Sequence, residues 1–218
     1  MTISSSRYVA LEGVKGSGKS TLFVALGSHL YQSGVGFVEL CPTRAMPAWH
    51  PLEWLACAGL ADRWDQLTEW LYAARSNWHA SHVDREKRLV FGDRSILTSY
   101  AVRWPAGQVA DCRRRLDEVN RREHCIELPT DVLYLDVDEG TALKRISQRT
   151  CRHYGHRDEQ PARILAHLEA YRQLRRDGSR LGLGNITWRS IDANRSFGDV
   201  FAEAAAHLDS IIDAGELT

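Results

Sequence analysis

A glycine-rich run near the start of the chain constrains the fold more than any other feature. It reads "LEGVKGSGKST", Leu11 to Thr21. Gly13, four further residues and then Gly18-Lys19-Ser20 follow an apolar stretch and open an amphipathic one. That context predicts a strand, a tight loop and a helix in succession. Gly13, Gly16 and Gly18 allow backbone angles closed to other residues. Successive N–H groups, from Gly13 through Ser17 to Thr21, can then turn inward beside a helix N-terminus, a concavity that suits phosphate oxygens. Lys19 would reach the β- and γ-phosphates of ATP, and Ser20 would coordinate magnesium.

Apolar runs alternate with amphipathic ones from end to end, which predicts an α/β fold: a five-stranded, parallel sheet with helices on both faces. Strands are expected at Tyr8–Gly13, Gly36–Leu40, Arg88–Asp93, Asp131–Val137 and Ile186–Ile191. Helices are expected over Ser20–Gln32, Asp62–Glu86, Ala110–Glu123, Gly140–Arg149, Pro161–Arg176 and Phe197–Ile212. In the second of these, Leu67, Trp70, Leu71, Ala74 and Trp78 recur at three- and four-residue steps and form one apolar face. At 218 residues the chain fits one domain with one sizeable core. Lys plus Arg equal Asp plus Glu at 28 each, so no overall basic field points to nucleic acid or an anionic membrane. With no signal-type run and no apolar segment near the roughly 18 residues of a membrane span, a cytoplasmic protein is expected. The five cysteines are scattered and never spaced C-x-x-C, which points to reduced packing residues rather than a disulfide framework or zinc site.

Beyond the glycine-rich run, several segments resemble the thymidylate kinase family of P-loop nucleoside monophosphate kinases, in order and over nearly the whole chain. "PTR" (Pro42 to Arg44) falls where that family has a threonine-arginine pair, "LYAARSNW" (Leu71 to Trp78) resembles its acceptor helix, and "FGDRS" (Phe91 to Ser95) its Asp-Arg motif. "LYLDVDEGTALKRISQR" (Leu133 to Arg149) and "SIDANRSFGDVFAEAAAHL" (Ser190 to Leu208) are similar to its lid-entry and closing segments. The resemblance implies ATP and Mg2+ as cofactors, a small phosphorylated acceptor of nucleotide type, and a short arginine-rich lid at about residues 149–161. Related kinases are often dimers, and the apolar faces of the long helices permit a homodimer, although a buried core explains those faces equally well.

Phosphoryl transfer demands positioning and charge neutralisation more than covalent chemistry. Asp93, at the C-terminal end of a parallel strand, stands where such sheets expose ligand sites and is expected to hold magnesium through water. Arg44 and Arg94 can each present a planar fork to an acceptor phosphate, joined by Arg75 at the position resembling the family's acceptor arginine. Arg145, Arg149, Arg152 and Arg157 crowd the lid segment, and Arg149 and Arg157 bracket it as candidates to neutralise the transferred group. Asn194 and Arg195, with Ala193, resemble the loop that packs against adenine; otherwise they cap the next helix.

The resemblance breaks on the acceptor side. Lys15 stands where thymidylate kinases carry an acidic residue that accepts from the sugar 3′-hydroxyl. A cation cannot accept a hydrogen bond, but it can pair with a second anion or supply charge to ATP. Leu71 replaces a stacking phenylalanine, and Val102 with Arg103 replace a tyrosine-glutamine pair. Trp70, Tyr72, Trp78, Tyr100 and Trp104 are left to build a differently shaped acceptor pocket. Two alternatives stay open: a kinase acting on a hydroxyl, with Glu39 or Asp93 as base, and a regulator that binds ATP without turnover.

Overall fold

Residue burial explains which strands are central. β1 (Arg7–Glu12) is buried from Tyr8 onward and β4 (Asp131–Asp136) through Leu135, so both are covered on two faces. β3 (Leu89–Asp93) is buried except at its last residue. β2 (Phe37–Leu40) and β5 (Thr187–Asp192) stay partly exposed, as edge strands must. All five are parallel, in the order β2-β3-β1-β4-β5. The expected α/β sheet is therefore present, each strand within one residue of its predicted bounds. The computed structural model describes residues 7–57, 65–84, 89–102, 109–149 and 159–216.

The helices are α1 (Lys19–Gln32), α2 (Pro51–Cys57), α3 (Asp65–Ser81), α4 (Ile96–Val102), α5 (Val109–Arg122), α6 (Glu139–Ser147), α7 (Pro161–Asp177) and α8 (Phe197–Glu216). α1 packs on β3 through stacked Phe23 and Phe91, ring centroids 4.7 Å apart, and on α8 through the His29–Asp209 contact at 2.9 Å. α7 lies against β4, with the Tyr171 and Tyr134 rings 5.3 Å apart. The sequence reading missed α2 and α4, each seven residues long. It also ran the long helix on to Glu86, whereas α3 stops at Ser81. The reason is local: the carbonyl of Trp78, which a continuing helix would bond through the His82 N–H, instead accepts from Ser81 Oγ at 2.9 Å and lies 2.7 Å from the His82 ring. The His82 N–H turns to the His79 carbonyl.

Cys41 and Cys125 are free thiols, and burial pushes the Cys41 thiol up to about 11. Among the described residues no helix is long and apolar enough to cross a membrane.

Candidate active site

The register of the sheet brings two motifs to one place. β1 pairs Leu11 with Asp93 of β3, so the glycine-rich loop and the Asp93-Arg94 pair leave adjacent parallel strands side by side. The Arg94 N–H donates to the Leu11 carbonyl at 3.0 Å, stitching the two exits together. This is the carboxyl end of the sheet, where open parallel sheets bind ligands.

The loop's shape depends on two glycines in particular. Gly13 (φ 143°) would bring a Cβ to 2.9 Å from the Leu135 carbonyl, and Gly16 (φ 85°) would bring one to 2.4 Å from the Ala142 carbonyl. The loop is thus pressed against β4 and α6 too closely for side chains at those points. Lys19 is 5% exposed, and its ammonium donates to the Val14 carbonyl at 2.7 Å and to Ser17 Oγ at 3.1 Å, spanning the loop from inside. Burial, then the nearby Arg94 guanidinium, pushes Lys19 well below the ordinary lysine range, while Asp93 and Glu12 pull it back. Ser20 and Thr21, in the first turn of α1, face solvent. Lys15 does not simply point outward: it lies 3.9 Å from Glu159, whose side chain is 8% exposed. Arg149 reaches the same Glu159 oxygen at 3.9 Å.

Asp93 Oδ1 is buried and has no hydrogen-bond partner. Arg94 has φ 78°, the left-handed region, and its Nη1 donates to Thr98 Oγ1 at 3.1 Å. Arg145, passed over at the sequence level in favour of Arg149 and Arg157, donates from Nη1 to the Ser17 carbonyl at 3.4 Å. Arg157 and Arg103, with Trp104 and Arg152, lie outside the described residues.

The remaining sequence candidates are spread more widely. Arg75 is 3% exposed, and its fork is engaged by Glu53 of α2: Nε to Oε1 at 2.5 Å and Nη2 to Oε2 at 2.7 Å. It is not an open fork awaiting a phosphate, because at this depth a guanidinium requires a counter-charge. Nη1 points to the Thr43 carbonyl at 3.5 Å, and the guanidinium carbon stands 5.6 Å from the Tyr72 ring centroid. Arg44 is exposed, with Nη2 3.8 Å from Glu39. Its carbonyl lies 3.1 Å from His79 Nε2, which must be the donor. Leu71 is buried with Met46 and Ala56. Tyr100 is turned into the core between α4 and α5, 1% exposed, its hydroxyl donating to Asn120, so it is not available as an acceptor-pocket wall.

Asn194 ties two loops together rather than capping a helix: its Oδ1 accepts from the Asp138 N–H at 3.1 Å, and its Nδ2 donates to Asp192 at 2.8 Å. Arg195 pairs with Glu203 of α8, and Ser196 is the residue whose Oγ accepts from the Asp199 N–H at that helix start. The residue that sequence reasoning missed altogether is Glu12. It is 0% exposed and accepts from Ser95, Thr98 and Tyr171. Its signal was present, a carboxylate inside an otherwise apolar strand immediately before the first loop glycine.

No family model matches the chain. Two curated relatives do. A probable thymidylate kinase of Thermoplasma acidophilum is 30% identical over 168 residues, covering 74% of this chain and 81% of that protein. A thymidylate kinase of Mycoplasma pneumoniae is 32% identical over 149 residues, covering 65% of this chain and 69% of that protein. With its parallel sheet and with relatives aligned over most of their own lengths, the chain belongs to the thymidylate kinase family and is at that level a phosphotransferase of the nucleotide kinases.

Proposed function

We propose that the chain transfers the terminal phosphoryl group of ATP to a nucleoside monophosphate, with an acceptor site altered from that of a thymidylate kinase. One observation carries this reading: a glycine-rich loop closed around Lys19 and an Asp-Arg pair leave neighbouring strands at the carboxyl end of the sheet. The loop amides of Gly13, Gly16, Ser17 and Gly18 would hold the phosphates, and Lys19 would exchange its loop contacts for phosphate oxygens. Arg145 and Arg149, both beside the loop, would balance charge on the transferred group, and Arg94 would orient the acceptor phosphate. Arg75, held by Glu53, would work as part of the wall behind it.

The residues also fit magnesium. Ser20 is exposed at the helix start and Asp93 Oδ1 lacks a partner. Among the described residues no three acidic, histidine or cysteine side chains gather into a metal cage. Magnesium needs none, since it keeps waters and binds through one or two protein oxygens plus substrate phosphates. When bound it would neutralise charge shared between the β- and γ-phosphates.

The altered acceptor rests on Lys15 and Leu71. A cation near Glu159 cannot accept from a sugar hydroxyl, and an aliphatic side chain cannot stack as an aromatic ring does. Adenine would lie against the Asn194 and Arg195 loop. The test is a panel of nucleoside monophosphates with ATP and Mg2+, reading ADP formation. At least one monophosphate should stimulate turnover, and Lys19→Ala should abolish it while retaining the wild-type circular dichroism. Stimulation by unphosphorylated nucleosides or other alcohols alone would replace this reading with hydroxyl phosphorylation. Tight ATP binding with no stimulating acceptor would replace it with a regulator.

A further inference from the structure

Glu12 takes no part in the phosphate chemistry just described, yet it is tightly bound in the fold. Its Oε1 accepts from the Ser95 N–H and from Ser95 Oγ, each at 2.7 Å. Its Oε2 accepts from Thr98 Oγ1 at 2.8 Å and from Tyr171 Oη at 2.6 Å. All four donors are neutral, and among the described residues no lysine or arginine pairs with this carboxylate. Four donors occupy an acceptor-only group fully. They come from three segments: the start of α4, its first turn, and the middle of α7.

An independent feature stands next to this hub. Arg94 is the one described non-glycine residue with positive φ, at 78°. A left-handed arginine is unfavourable and persists only where its surroundings over-determine it. Here the surroundings are explicit. Its N–H is held by the Leu11 carbonyl at 3.0 Å, and its carbonyl accepts from Tyr8 Oη at 3.3 Å. The N–H that follows it in the chain, that of Ser95, belongs to Glu12. Its side chain donates to Thr98 Oγ1, whose single proton goes on to Glu12. Glu12 thus controls both the backbone immediately after Arg94 and the hydroxyl that receives its guanidinium.

We propose that Glu12 is a positioning residue for Arg94: by gripping Ser95, Thr98 and Tyr171 it holds the arginine in its left-handed conformation with the guanidinium set for an acceptor phosphate. The acceptor half of this statement rests on the reading under Proposed function; the structural half does not. The field of Glu12 acts in the same sense, favouring the charged forms of Arg94 and Lys19.

Glu12→Gln tests it, because the amide keeps the size but sets an NH2 group against two of the donors. In a crystal structure of this variant, Arg94 should leave positive φ or lose Thr98. In kinetics with a monophosphate that the wild type accepts, KM for that monophosphate should rise about tenfold or more, since small misplacements of an orienting group are expensive. The KM for ATP should stay within about twofold. In an Arg94→Ala background, Glu12→Gln should add nothing to the acceptor KM, whereas a merely structural role predicts an independent further loss. Tyr171→Phe, which deletes one donor and keeps the ring, should shift the acceptor KM in the same direction by less and secures the test should Glu12→Gln fold poorly. An Arg94 unmoved in the variant crystal, additive effects in the cycle, or a change confined to melting temperature would overturn the proposal. If the wild type turns over no monophosphate, the function reading has failed by itself, and the crystal structure still decides whether Glu12 sets Arg94.

Discussion

Glu53 and Arg75 form a buried pair whose hydrogen bonds, 2.5 and 2.7 Å, compensate two charges that could not stand alone at that depth. Burial alone would raise the Glu53 pKa, but the Arg75 bonds and the Met46 N–H outweigh it and hold the carboxyl below its ordinary 4.5. A carboxyl that ionises more readily folded than unfolded adds stability above about pH 4.5 and loses it as pH falls through the lowered native value. Urea denaturation over a pH series should therefore show wild-type stability falling in acid, and Glu53→Gln should flatten that limb. At neutral pH the same variant leaves Arg75 uncompensated and should cost about 3 kcal/mol or more. Equal acid sensitivity in both proteins would mean the pair contributes no pH dependence. The sequence pointed to Arg75 without its partner, because Glu53 lies in a helix the sequence reading did not find. The glycine-rich loop and Asp93-Arg94 were legible because their residues are close in sequence. Glu12 stood out only as a carboxylate in an apolar strand, and its partners were hidden, since its donors Ser95, Thr98 and Tyr171 are 83, 86 and 159 residues away.

Among the elements, strands were the easier reading: β1, β3 and β4 are short continuous apolar runs, and such runs between helices identify buried parallel strands. Short helices were hidden. α2 begins at Pro51 and spans seven residues, too few for a helical period to register, and α4, which follows the Asp-Arg motif, is as short. Its start is nonetheless encoded by one residue. Ser95 Oγ accepts from the Leu97 N–H at 3.1 Å, a cap on the first turn, while its own proton goes to Glu12. Ser95→Ala removes both contacts at a site 2% exposed. The expected loss is about 1–2 kcal/mol in urea denaturation, with an unchanged slope if the native state keeps its compactness. A loss of only a few tenths would mean that β3 and α7 fix α4 without help from its cap. The two elements that meet at Arg94 would then be held by packing rather than by polar chemistry.

At the scale of the whole molecule, apolar burial is divided unequally. The main core runs along both faces of the sheet, taking Val9, Leu11, Phe91, Leu133 and Leu135 from the strands and Leu26, Leu168 and Leu208 from the helices around them. A second, small cluster of Met46, Ala56 and Leu71, backed by Leu52, Ala74 and Trp78, holds α2 to α3, which itself reaches the main core through Ala80. The glycine-rich loop is anchored to the large cluster and Arg75 to the small one. Stability follows buried apolar contact, so α2, which joins the fold through the small cluster, should open locally at a lower free energy than the sheet. Native-state hydrogen exchange should find the amides of α2 at least tenfold less protected than those of β1 and β4. Glu53→Gln should speed exchange in α2 and leave β1 unchanged, since the ion pair ties α2 to α3. If α2 proves as protected as β1, the small cluster is not a separate unit. If it exchanges early and a bound monophosphate slows it, that ligand orders α2 and α3 while the glycine-rich loop stays fixed on the sheet. Part of the acceptor's binding energy is then spent in ordering those helices, which couples selection of the acceptor to assembly of its site.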